Sequence, residues 1–104
     1  MSRFFLFTLL FLIPTIASSY DLNGSVFNYD ESDKTYTVVV QNNEGHEYIG
    51  KAEEKSDGSL IVSVSDAKGE TYIGTAIPTE DGFFNLNLKN KATGNTANGE
   101  LEED

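Results

Sequence analysis

The chain has no cysteine, no tryptophan, one histidine and two prolines, and its seven lysine and arginine residues face seventeen aspartates and glutamates. Each shortage excludes something. Without cysteine there is no disulfide framework of the kind that supports small exported domains, no thiolate metal site and no thiol nucleophile. A lone histidine, His46, cannot build the usual zinc site from imidazoles. The formal charge of −10 argues against nucleic acid, whose phosphates are bound by positive charge, and against the bare anionic face of a membrane. Acidity of this degree suits solubility outside the cell, a cationic partner or a divalent ion.

The first residues form a secretory signal by pattern. Arg3 precedes an apolar run from Phe4 to Ile13, followed by Pro14 and by small residues at Ala17 and Ser19. The run is shorter than the roughly 20 residues that a membrane span requires, so no span is expected. Cleavage after Ala17 or after Ser19 fits equally. The expected organisation is therefore a signal peptide over 1–19 and one domain over 20–104, with a secreted or periplasmic destination. Loss of Arg3 would leave six lysines against seventeen acids. About 85 residues remain, enough to bury about 60 to 65% of the unfolded surface. Asn23-Gly-Ser reads as a glycosylation sequon in a eukaryotic setting.

Within that domain the chain repeats itself. Gly45 to Ala52 reads GHEYIGKA, and Gly69 to Ala76, 24 residues on, reads GETYIGTA. At the same spacing fall three runs beginning at Tyr36, Leu60 and Phe84, each apolar at every second position. The alternation predicts antiparallel strands with one wet face. Asp57-Gly and Asp81-Gly are hairpin-turn signals, and Gly45, Gly69 and Gly94 punctuate the joints between repeats. One repeat is thus about one β-hairpin.

The predicted fold is all-β: an antiparallel meander of about seven short strands from three hairpin repeats of about 24 residues, forming a curled sheet or a small, partly open barrel. An odd number of strands makes the first and last run parallel, so the expectation is an open seam. The last strand, Ala97 to Leu101, is expected to be short, with a frayed acidic tail behind it. Gly24, Gly50, Gly74 and Gly99 sit in mid-strand at intervals of 26, 24 and 25 residues. A glycine weakens a strand, so four at one phase mark a repeated kink or a close approach by an aromatic ring or another backbone. Apolar residues also occupy the second face: Phe27, Val39, Ile49, Ile61, Ile73, Ile77 and Phe83. They form either a second core or a contact surface.

Little catalytic chemistry is legible, and no enzyme, cofactor or metal centre is expected. His46 stands beside Glu44 and Glu47, where acid–base work is chemically open to it. No cysteine or strained serine elbow accompanies it. The best cation candidate is the loop carrying Asp30, Glu31 and Asp33, whose oxygens suit calcium but whose spacing is not that of a calcium loop.

The Tyr-x-Gly strands, the Asp-Gly turn and the hairpin period resemble MORN repeats over about residues 45–82, from Tyr48-Ile-Gly through Asp57-Gly to Tyr72-Ile-Gly. Ala52 and Ala76 stand where that family usually carries a bulky aromatic. The resemblance implies hairpins stacked into an elongated curved sheet that binds protein partners. Composition and pattern together lead to an exported, non-catalytic interaction module that recognises a cationic protein partner in the manner of an inhibitor or immunity protein. Tyr48, Ile49, Tyr72 and Ile73 are the expected contact residues. Two alternatives are a structural protein that self-associates by β-edge pairing and a small barrel that binds an apolar ligand.

Overall fold

The computed structural model describes residues 19–104, and every regular element among them is a strand. The expected signal segment lies outside the described residues, apart from Ser19. In chain order the strands are β1 (Ser19–Asp21), β2 (Asn23–Asp30), β3 (Thr35–Gln41), β4 (Glu47–Glu54), β5 (Leu60–Ser65), β6 (Thr71–Glu80), β7 (Phe83–Asn90) and β8 (Thr96–Glu103). Consecutive strands from β2 to β8 pair antiparallel, as the alternating sequence requires.

The sheet then closes, where an open seam was expected. β8 pairs in parallel with both β1 and β2, with Ser19 opposite Thr96 and Gly24 opposite Leu101. The register is the same on both sides of Leu22, so β1 and β2 act as one strand of a closed seven-stranded barrel. Parallel strands usually need a long crossover, but here the whole meander is the crossover. Leu22 N–H donates to the Asn98 carbonyl at 2.9 Å, and Asn23 Oδ1 accepts from Glu100 N–H at 3.0 Å. This geometry also differs from the elongated open sheet that the MORN resemblance implies.

The acidic end belongs to the barrel wall rather than to a frayed tail. β8 runs through Glu103, the N–H of Glu103 donates to the Gly82 carbonyl at 2.7 Å, and that of Asp104 to the Val26 carbonyl at 3.0 Å. Tyr36 on β3 adds a bond from its hydroxyl to Glu103 Oε2 at 3.1 Å.

The mid-strand glycines make this curvature sterically admissible. A Cβ built on Gly24, Gly50, Gly74 or Gly99 would lie 1.8, 1.8, 2.0 or 1.7 Å from a backbone oxygen of the neighbouring strand: that of Val39, Ser63, Asn87 or Leu22 respectively. The close approach is therefore by backbone and not by an aromatic ring. A coiled strand crowds its concave side, and removal of the side chain there lets the corner form.

Glycine phase also decides which face is inside. The residues that share the glycines' face form the core: Leu22, Val26, Tyr48, Ala52, Tyr72, Ala76, Ala97 and Leu101 from the glycine-bearing strands and the segment beside β2, joined by the alternate residues of β3, β5 and β7. Val26, Val38, Val40, Ala52, Val62 and Leu101 are fully buried. Each Val or Leu removed from water contributes on the order of 1.5–3 kcal/mol before entropy is counted. A barrel of this strand number is just wide enough to be filled by its own side chains. Among the described residues the second face has no core of its own: Ile49, Ile61, Ile73 and Ile77 are 52, 44, 40 and 49% exposed.

Strand tilt carries each inward row from one end of the barrel to the other, as closure demands. The row Val26, Val38, Gly50, Val64, Tyr72, Asn90 ends at the loops that join β3 to β4, β5 to β6 and β7 to β8. That end is the mouth considered next.

Candidate functional site at the barrel mouth

Two mouth loops have one design. Asn42 Oδ1 accepts the N–H groups of Glu44 and His46, and Asp66 Oδ1 accepts those of Lys68 and Glu70, at 2.8–3.0 Å. Gly45 and Gly69 take positive φ, 82° and 92°, to complete the turns. In the third loop Asn90 Oδ1 accepts from Ala92 and Thr93, and Gly94 has φ 80°. An Asx side chain that replaces a backbone turn bond is the physical reason for Asn or Asp at each loop start.

Because the loops repeat, so does the contact between them. The last residue of one loop reaches the first residue of the next. His46 Nε2 lies 2.8 Å from Asp66 Oδ2, and Glu70 Oε2 accepts from Asn90 Nδ2 at 3.1 Å. The other Glu70 oxygen accepts from the Tyr48 hydroxyl at 2.7 Å. Tyr48 is packed edge-on between His46, at 5.0 Å between ring centroids, and Tyr72, at 5.3 Å.

This wiring sets the electrostatics. The hydrogen bond from His46 holds the Asp66 carboxyl below the usual aspartate range, helped by the N–H groups of Glu70 and Lys68 and opposed by burial. Burial first, and then the hydrogen bond to Glu70, push the Tyr48 phenol well above the usual tyrosine value, so it remains a donor. His46 is half exposed at the rim, whereas the Asp66 side chain is only 4% exposed. Outside this cluster lies an open depression of about 690 Å³ reached by Lys68 and Lys91, and inside it a recess of about 300 Å³ lined by His46, Tyr48, Glu70 and Tyr72.

The four expected contact residues fall on opposite faces. Tyr48 and Tyr72 point inward at the mouth, each 4% exposed, while Ile49 and Ile73 stand on the outer wall. The candidate calcium loop is self-contained. Asp30 Oδ1 accepts the N–H and the hydroxyl of Ser32 at 2.9 and 2.6 Å, which holds its carboxyl below the usual range. Among the described residues the one convergence of three metal-capable groups is His46, Asp66 and Glu70. Sequence reasoning passed over it because Asp66 and Glu70 are 20 and 24 residues from His46. The 24-residue period was the signal available, since it places His46 and Glu70 at equivalent loop ends.

Fold and mouth together define a small closed β-barrel with a filled interior and a polar, loop-built rim at one end. Comparison of the chain with protein-family models, with curated proteins and with solved structures finds no match.

Proposed function

We propose that this barrel is an exported, non-catalytic binding module that meets a protein partner through the outer wall of β5 and β6. The observation that carries the reading is the group of exposed isoleucines. Ile61 on β5 faces Thr75 on β6, which puts Ile73 and Ile77 diagonally on either side of it. Ile49 on β4 pairs with Val39 in a separate spot. The core is complete without these side chains, so their exposure serves contact rather than folding. The net charge of −10 over the chain steers a cationic partner at long range, as an inhibitor or immunity protein would, while Lys89 and Lys91 flank the wall itself. The MORN-like hairpin signature adds its own expectation of protein binding, and we read the barrel as three hairpin repeats plus a fourth glycine-bearing strand.

Closure pairs β2 to β8 on both sides and leaves the three-residue β1 as the one free edge among the described residues, which gives assembly by edge pairing little to build on. A second reading has one observation in its favour. A groove of about 540 Å³ on the outer wall has Ile61, Ile73 and Gly74 as its floor and Lys89 and Lys91 beside it. That combination suits an apolar ligand with an acidic head, bound on the wall and not inside the filled barrel.

The test compares immobilised wild-type protein with Ile61→Ser/Ile73→Ser. The expected result is a partner retained from secreted proteins by the wild type, released by high salt and not retained by the variant. Equal retention by both proteins, or retention of nothing by the wild type, defeats the reading. Retention of a fatty acid or similar amphiphile alone selects the second. Export has its own check in the mature N-terminus: cleavage after Ala17 preserves all of β1, whereas cleavage after Ser19 would remove its first pair with Thr96.

A further inference from the structure

We propose that His46, Asp66 and Glu70 form a binding site for one divalent transition-metal ion of the zinc class at the mouth of the barrel. This site is separate from the isoleucine wall and does not depend on the binding function proposed above. One ligand atom from each of the three residues lies within 4.8 Å of the other two, a span that a modest rotation closes onto an ion with ligands at about 2.0–2.2 Å.

The carboxylates are held from behind. Asp66 is anchored through Oδ1 by the N–H groups of Lys68 and Glu70, which leaves Oδ2 directed to His46. Glu70 is fixed by the Tyr48 hydroxyl on one oxygen and by the Asn90 amide on the other. Asp66 Oδ2 and both Glu70 oxygens, with one bond each, keep a further lone pair for an ion. Partners of this kind orient ligands in metal sites and raise their basicity.

The turn does not require this chemistry. Asn42 and Asn90 occupy the same loop position and make the Asx bonds with an amide oxygen, so the charge of Asp66 is additional to what the fold needs. Its side chain is 4% exposed, and its nearest cationic partner is an imidazole that is charged only when protonated. A carboxylate side chain covered to this degree is commonly paired with a cation or coordinates a metal.

An independent observation also points to a ligand. Tyr72 is 4% exposed and lines the same 300 Å³ recess as His46 and Glu70, yet its hydroxyl has no hydrogen-bond partner among the described residues. A hydroxyl lining the recess in this way is placed to hydrogen-bond a water that an ion there would carry. One nitrogen and two carboxylates match the zinc class in donor type, and their two negative charges match the ion. Three protein ligands leave a position open, as in zinc sites that bind water or a partner's side chain. Calcium, which takes six to eight oxygens, is poorly served.

The purified protein is titrated with Zn²⁺ by calorimetry, alongside His46→Ala, Glu70→Gln, Tyr48→Phe and Asp30→Asn, each checked for folding by its thermal melt. The expected result is one ion per chain, undisturbed by excess Ca²⁺. His46→Ala and Glu70→Gln should weaken binding on the order of 100-fold and Tyr48→Phe, which removes only a supporting bond, about 10-fold, with Asp30→Asn unchanged. Since His46 is the single histidine, its ring resonances in the wild type decide the matter even where a variant fails to fold: they must shift with one equivalent of Zn²⁺. An unmoved ring, more than one equivalent of similar affinity, or equal loss in Asp30→Asn overturns the proposal.

Discussion

Replacing Gly50 with alanine tests the central claim about how the barrel closes. The new Cβ would sit 1.8 Å from the Ser63 carbonyl oxygen and 2.8 Å from Val64 Cα. Ordinary carbon–oxygen contacts begin near about 3.3 Å, so β5 must retreat by roughly 1.5 Å or β4 must flatten. Neither is free, because β4 and β5 pair along six positions from Ile49 opposite Ser65 to Glu54 opposite Leu60. Overpacking of a well-filled interior costs about 1–3 kcal/mol, and an obstacle made of backbone belongs at the upper end. The lower chain entropy of unfolded alanine returns about 0.4–1 kcal/mol. The net expectation is a loss of about 2–3 kcal/mol, against a total stability of roughly 4–13 kcal/mol for a domain of this length. At about 4–8 °C per kcal/mol for a domain of this size, Tm falls by about 10–20 °C. Urea and thermal unfolding followed by far-UV circular dichroism measure both quantities. The control is Gly45→Ala, where φ is 82° and no atom lies within 4 Å of the built Cβ, so the cost is the left-handed backbone alone, about 1 kcal/mol. If Gly50→Ala unfolds cooperatively and loses no more than Gly45→Ala, close strand approach is not what these glycines provide.

Leu101 is fully buried on the closing strand, opposite both Phe84 and Gly24; Leu101→Ala should cost about 2–5 kcal/mol and speed hydrogen exchange first at β1 and β2, and uniform acceleration over the whole barrel would contradict a local seam. Burial, and then the hydrogen bond to Glu103, push the Tyr36 phenol up to about 12. Because that value lies above the unfolded one of about 10, the contribution is whole below about pH 10 and is lost as pH rises towards about 12. In a tyrosinate absorbance titration, Glu103→Gln should lower the Tyr36 step near about 12 and leave the still higher Tyr48 step in place; an unmoved Tyr36 step would mean that the bond is not formed. Ile73→Ser on the outer wall should change stability by less than about 0.5 kcal/mol in a urea melt, and a larger loss would show that this face is packed and not presented.

The sequence by itself determined the class and the phase of this protein. Period-two alternation in Tyr36–Val40, Leu60–Val64 and Phe84–Leu88, with Gly45, Gly69 and Gly94 at the joints, admits only short antiparallel strands, and the spacing of Gly24, Gly50, Gly74 and Gly99 shows that they share a face. These are local properties, carried by residues one or two apart. Three things were decided only in the tertiary structure. Whether the tyrosine or the isoleucine face lies inside is undetermined by alternation, which is symmetric between the two; the clash of a Cβ at Gly50 with Ser63 settles it, and that clash exists only once β4 lies against β5. Closure, too, is non-local, since it depends on tilt and stagger accumulated over seven strands before Gly24 can meet Leu101. The meeting of His46, Asp66 and Glu70 depends on both, because residues 20 and 24 positions apart become neighbours only when successive loops are stacked around one rim.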